Sequence, residues 1–505
     1  MTIRSVGPRR LRGHATILTV ILFAVAGLAV TGMYNVGQQT TGKVRLQTVS
    51  DAAAYSVGTV VARDLNFKAY TNRAMVANQI AVAQMIGLAS WSRMLRHAGQ
   101  NFRIITSALS IIPVIGQALA VIGNVIERGS NIIDQAITQM ARVVVPIQEI
   151  LIDTLSEAQR VFHFATLAMA RETLTTVVGQ SDRDIDTGAL ATNGVFWGSF
   201  TRTWEGQQER YRPQRINDNR PAAREARARV EEFRTITEAS GDRFVNQRSY
   251  NWFNMSIWPL MGLRMRKYGG SELMPTLNNQ QVQNYSWTAM DSVGFEVRTC
   301  CRRFGRWRNW NEIAPFGWGA AHALSNGRTN FEYANFRNAR RADGGRRWGN
   351  GTWELPMTTT VGAQQYRTRN LATSRGIRPF YDLQQRGRLP DEQLNVQVVL
   401  LKRADRMRTW NTVLRGAGQQ PQPTLDVEER GGMAGDTMST LAKSGIYFSR
   451  EVNVFRDSRI GETDWRRADG QREYGNMYNP FWQVRLLPST NAERTAALAF
   501  AQIRM

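Results

Sequence analysis

The sequence predicts an α+β chain. An N-terminal transmembrane helix continues into a long helix and a helical hairpin region, and a β-rich domain with covering helices follows. Three observations lead there. Ala15–Met33 is a run without a charged residue. Beyond it, through Trp91, the apolar residues keep helical spacing and no proline interrupts them. From about residue 245, Gly, Asn, Trp and Arg rise and apolar runs shorten to strand length.

The first element is read as an anchor. A helix rises about 1.5 Å per residue, so roughly 20 apolar residues cross a hydrocarbon core of about 30 Å. Arg4, Arg9, Arg10 and Arg12 precede the run with no acid among them. The positive-inside rule then makes 1–13 a basic cytoplasmic tail and 14–33 the membrane helix, with the remainder on the far side. A cleaved signal peptide is the rival, since Ala24-Val25-Ala26 resembles a small-residue cleavage site. A retained anchor is favoured because the apolar run exceeds a typical signal h-region and the helical pattern does not break after it.

Residues 34–180 read as an extended helical region. Leu46, Val49, Ala53, Val57 and Val60, then Phe67, Tyr70, Ala74, Ala77, Ala81, Met85, Leu88, Trp91 and Leu95, form one stripe at gaps of mostly three and four. Its partner is either the chain's own core or another molecule. Residues 104–126 carry no charge and are read as a buried apolar hairpin, with a second membrane crossing as the alternative. Ile132 to Val178 is helical again, with Pro146 as a kink or break.

A loop and a charged bridging helix occupy 181–240. Asp182, Asp184 and Asp186 alternate like calcium ligands. Thr187 and Asn193 stand where that loop needs Gly and Glu, so a solvated turn is expected. REARARVEEFRTI reads as an exposed helix with ion pairs. The β-rich exported domain spans 241–505, with strands expected at Ser292–Thr299, Asn395–Leu401, Gly445–Phe455 and Phe481–Leu487. Thr490 to Glu493 is a capping box opening a last helix.

The 505 residues suffice for two or three domains. The net charge of +23 asks for an acidic partner, such as an anionic envelope component, or else serves as a soluble basic surface. Nucleic acid sits poorly with an exported chain. Cys300 and Cys301 are adjacent, which gives no zinc spacing and leaves their redox state open.

His14, His97, His163 and His322 are scattered; HExxH, GxSxG and P-loop motifs are absent. No enzyme activity, catalytic residue, cofactor site or metal site is expected. One basic-aromatic cluster stands out: Arg302, Arg303, Arg306, Trp307, Arg308 and Trp310. It is either an anion or glycan contact or a strand with Trp inward and Arg outward.

One stretch carries a resemblance. Leu46 to Gly58, LQTVSDAAAYSVG, follows the apolar run, and Ala62 to Gln79 continues it. On Arg12, Gly13, Leu46, Gln47, Asp51, Ala52, Ala53 and Ala54, the N-terminal fifth resembles the TadE/TadG-like proteins of tight-adherence (Flp) pilus assembly. Asn476 to Pro488 resembles the closing strand of long members. The resemblance implies a single-pass protein of the bacterial inner membrane with its bulk in the periplasm. Such a protein is a structural or assembly component of a pilus or secretion system, meeting other pilus or secretion proteins through helices. Gly13 before His14 resembles a prepilin processing site, although Leu18 replaces the usual Glu. A cleaved minor pilin or pseudopilin at a filament tip is therefore one alternative; a periplasmic glycan-binding module or hydrolase is another. Larger members carry a DxSxS metal motif; the nearest string here, Asp436 to Thr440, displaces its serine, so that site is not carried over.

Overall fold

The computed structural model describes residues 14–110, 115–187, 190–257, 261–277, 282–299, 308–324, 369–384, 392–403, 437–449 and 473–502. Two helices dominate it. Helix α1, His14–Leu109, is unbroken over 96 residues, a length of about 140 Å at 1.5 Å per residue. Helix α2, Ile115–Ser181, returns along it. Thus 104–126 is the end of one helix and the start of the next, not a straight second span. Nor are its described residues buried throughout: Val121 and Val125 are 62% and 65% exposed, because the tip projects past the strands that cover α1 from Leu46 on. Pro146 lies inside α2 without ending it.

The strands wrap this hairpin in three sheets. A four-stranded antiparallel sheet has the order β1 (Ile185–Asp186), β9 (Asn395–Arg403), β10 (Thr437–Phe448), β11 (Trp482–Leu487). A five-stranded sheet runs β3 (Tyr250–Ile257), β4 (Met261–Leu277), β5 (Gln283–Thr299), β6 (Asn311–Leu324), β7 (Arg369–Thr373). Only β6 and β7 pair parallel there. Between these sheets, β2 (Gln208–Tyr211) pairs with β8 (Phe380–Leu383). Three of the expected strands appear at their places. The fourth differs: β10 ends at Phe448, and 450–455 lie outside the described residues. β10 starts earlier than expected because Thr437–Ala442 pairs with Val398–Arg403 of β9.

The shorter helices are α3 (Leu190–Thr203), α4 (Pro221–Ala239), α5 (Arg243–Asn246) and α6 (Asn491–Gln502). The capping box is in place: Glu493 N donates to Thr490 Oγ1 at 3.2 Å, and Thr490 N donates to Glu493 Oε2 at 2.8 Å. Helix α4 has the expected ion pairs, Arg234 with Glu231 and Glu238. It is not an exposed bridge, however. Val230, Phe233 and Ala226 are buried, since its apolar side closes a core.

Two large cores lie along α1 among the described residues, with a smaller one around Met94 and Ala98, and helices and strands share them. The first joins Leu46, Val57 and Leu65 to Leu174, Phe200, Val396, Ile446 and Trp482. The second joins Met75, Ala83 and Ile86 to Val145, Phe233, Trp287, Ala321 and Phe380. The long stripe packs on the chain's own core, but its phase differs from expectation. Leu46, Val49, Ala53 and Val57 are buried, whereas Tyr70 is 63% exposed. Beyond Val57 the buried line runs one or two residues later, through Lys68, Asn72, Met75, Gln79 and Ile86. The polar members of that line are held by hydrogen bonds, which hydrophobic spacing cannot see.

Candidate functional site: the uncovered helix end and its seat

From Ile17 to Met33 the large apolar side chains of α1 are 42–76% exposed. Among the described residues α1 is the one helix long and apolar enough to cross a membrane. Its few polar side chains are already satisfied: Thr19 Oγ1 donates to Ala15 O at 2.6 Å and Thr31 Oγ1 to Leu28 O at 2.9 Å. This matters because lipid offers no partner to an unpaired polar group. Residues 34–45 continue the bare helix, and the covered part begins at Leu46. Twelve residues rise about 18 Å, so the folded body begins that far beyond Met33.

The segment Leu46 to Gly58 is the seat of the four-stranded sheet. Leu46, Ala53 and Ala54 are buried, while Ala52 faces solvent. Gln47 Nε2 donates to Asp51 Oδ1 at 2.9 Å. Gly58 allows the closest approach: a Cβ there would lie 2.7 Å from Ser444 Oγ and 2.8 Å from Val484 Cγ1. Gln47 and Asp51, with Lys43, Ser439, Thr440 and Arg494, border a cleft of about 450 Å³ between α1, β10 and the end of β11. The small residues of the signature thus let a sheet pack closely against a helix.

Farther along, α1 is tied to the strands by polar side chains on one face. Ser50 donates to Val398 O and Asn72 to Tyr381 O and Met477 O. Asn66 Nδ2 donates to Trp482 O, and Trp482 N donates back to Asn66 Oδ1. Gln79 reaches Gly376 O, and Ser90, His97 and Asn101 reach the carbonyls of Gly319, Trp318 and Phe316. A carbonyl can only accept, so His97 Nδ1 carries its proton toward Trp318.

Between the two cores sits a buried charged junction. Lys68 and Asp64 are both 0% exposed. Lys68 Nζ donates to Asp64 Oδ2 at 2.6 Å, Gln208 Oε1 at 2.7 Å and His163 Nδ1 at 2.9 Å. Trp204 Nε1 also donates to Asp64 Oδ2, at 3.1 Å. The ammonium lies 4.5 Å from the centre of the Tyr381 ring. Burial lowers the Lys68 amine to about 8 against the pull of Asp64, and burial raises the Asp64 carboxyl. Burial, then the Lys68 charge, lowers His163 to about 3, so this imidazole is neutral and accepts at Nδ1. Gln159 closes the junction by donating to Thr71 Oγ1 and Asn72 Oδ1, each at 2.7 Å. A second buried cluster joins Lys267 of β4 and Asp291 of β5 to Arg248, which lies just before β3.

Asp64, Asn66, Lys68 and Asn72 stand in the resembling stretch Ala62 to Gln79, but apolar spacing gives them no role. Their signal is an acid and a base four apart on the buried side of a helix. The other candidate residues fall variously. Arg12, Gly13, Cys300, Cys301, Arg302, Arg303, Arg306, Trp307 and Asp436 lie outside the described residues. Arg308 is exposed. The ring of Trp310 is flanked by the guanidinium groups of Arg264 and Arg298, at 4.3 and 4.6 Å from its centre. Asp182 is held by Lys402 at 3.0 Å and Arg45 at 3.5 Å, and Asp184 N donates to Asp182 Oδ1.

Residues 13–63 match the family Tad, described as Putative Flp pilus-assembly TadE/G-like. The N-terminal region therefore carries a domain of that kind, as its signature residues imply, and the exposed helix end fits a membrane-anchored protein. No curated protein and no solved structure matches the chain.

Proposed function

We propose that this chain, starting from its Tad domain, is a structural component of a tight-adherence-type pilus-assembly or related secretion machine. It is held in the inner membrane by 14–33 with its bulk in the periplasm, and it acts through protein–protein contacts rather than by catalysis. One observation carries this reading. The matched region 13–63 covers a single continuous helix whose first part is bare and apolar and whose second part is locked into the folded body. Such a helix holds a folded head at a fixed height above a membrane. The basic tail before it favours a cytoplasmic N-terminus, and the net charge of +23 suits contact with anionic envelope components.

The test is a topology map with reporter fusions after Thr40, Gln100, Leu190 and Met505, combined with carbonate extraction. All four fusions are expected on the exported side, with the chain resistant to extraction. Recovery of the full chain as a soluble cytosolic species overturns the reading. A mature N-terminus at His14 would instead assign the chain to a processed, pilin-like class.

A further inference from the structure

Helix α2 buries one side against α1 and the strands through Ala141, Val145 and Ile152. Its other side is apolar and, among the described residues, uncovered. The pattern there repeats every seven residues. Ile126, Ile133, Met140, Ile147 and Val161 are separated by seven or, across Thr154, fourteen. Three residues after members of this series, or in step with it, stand Val143, Ile150, Phe164 and, one heptad before the first, Ile122. All nine are 41–66% exposed. The breaks are Gly129, Ala136, Thr154 and Glu157. A strict seven-residue repeat is the mark of a seam between helices that coil about each other, with these positions as its a and d sites. A face that merely packs on a globular core has no need of it.

We infer that this face is the contact between two copies of the chain, joined in register along parallel α2 helices. Three observations select a second copy. The direction follows from the anchor, and so rests on the proposed function: two chains leaving one membrane run α2 the same way, and each seam residue meets its own counterpart. Like then meets like at no electrostatic cost, because the seam is uncharged except at Glu157. That carboxylate is already matched by Arg210 at 2.8 Å and Arg160 at 3.4 Å. The size also fits. The seam with Val121, Val125, Ile132 and Leu151 exposes on the order of 1,000 Å², against about 800 Å² per partner in a stable interface. With α1 behind each α2, the product is a four-helix arrangement of two hairpins.

The test uses the full chain in its membrane, with Cys300→Ser and Cys301→Ser as background. Single cysteines replace Met140, Val143, Ile147 or Ile150 on the seam, and Gln135 or Arg142 as exposed controls off it. Mild oxidation is expected to give homodimers at the seam sites in about ten-fold excess over the controls. In detergent, the Ile147→Asp/Ile150→Asp variant is expected to shift the chain from dimer to monomer with unchanged circular dichroism. Equal cross-linking on and off the seam, a monomeric parent chain, or cross-links only to a different protein each overturn the inference. Loss of membrane attachment would refute the anchor instead, and oxidation of the released chain would still report on the seam.

Discussion

Replacing Lys68 by Met probes what the buried junction does for stability. The substitution keeps the length of the stem and removes Nζ. Asp64 Oδ2 is left with Trp204 Nε1 alone, and Gln208 Oε1 and His163 Nδ1 lose their donor. An orphaned charge in such a place costs about 3–5 kcal/mol. The chain has one escape, which is to protonate Asp64. At pH 7, neutralising a carboxyl with a free pKa of about 3.9 costs about 4 kcal/mol, which caps the penalty. That escape cheapens by about 1.4 kcal/mol for each pH unit of acidification, so the variant should approach the parent as the pH falls from 7 toward 4. Asp64→Asn should cost a similar amount at pH 7 by stranding the ammonium. The double variant, with neither charge, should lose no more than about 3 kcal/mol, far below the sum of the singles. The assay is denaturant unfolding of the full chain in detergent, as a double-mutant cycle at two pH values. Additive single effects, or a Lys68→Met penalty that does not change with pH, would refute the idea that the pair is a coupled unit in a dry site.

Further outcomes are expected. Burial first, with neighbouring charges second, holds His163 at about 3 and His322 at about 4; His97 is also at about 4, where burial outweighs its bond to Trp318. These folded-state values lie below the free value, so the unfolded chain takes up protons first: stability is intact above about pH 6.5 and falls toward pH 4, at up to about 1.4 kcal/mol per pH unit for each histidine. Urea midpoints at about pH 7 and pH 5 measure this, and a flat profile contradicts it. In Gly319→Ala the new Cβ would sit 2.0 Å from Ser90 O and 2.5 Å from Met94 N; α1 must retreat from β6, at a cost of about 3 kcal/mol in the same assay. Thr490→Ala should loosen only α6, with amide exchange over 491–496 accelerating about five-fold, the equivalent of about 1 kcal/mol. Leu22→Lys places a charge in the middle of the bare helix, at about 2.5–3.5 kcal/mol, and should raise the carbonate-soluble fraction.

The bare apolar helix end, the unbroken helix and the capping box were legible because each depends on local pattern alone. Ala15–Met33 needs only length and apolarity, and Thr490 and Glu493 need only their spacing. The phase of the spine beyond Val57 was not legible. Its inward positions include Lys68, Asn72, Gln79 and Ser90, whose partners lie on strands far away in sequence. Apolar spacing alone places Tyr70 in the inward stripe, whereas the structure exposes Tyr70 and buries Lys68. The long strand β4 and the first half of β5 escaped for a related reason. Polar and small residues such as Lys267, Ser271 and Asp291 are buried in them, and this blurs the alternation that marks a strand. The seven-residue repeat on α2 stood in the sequence throughout. It gained meaning only when the opposite side of that helix proved to be the one facing α1.

With 14–33 embedded as proposed, the continuity of α1 would turn the bilayer into a steering element. With no hinge between Met33 and the far tip, the protein beyond the membrane moves as a boom of about 110 Å. A change of about 20° in the tilt of the embedded segment, within the range that bilayer thickness imposes, would swing that tip by about 40 Å. Lipid composition would thereby set where the head can reach, even though it touches only residues 14–33.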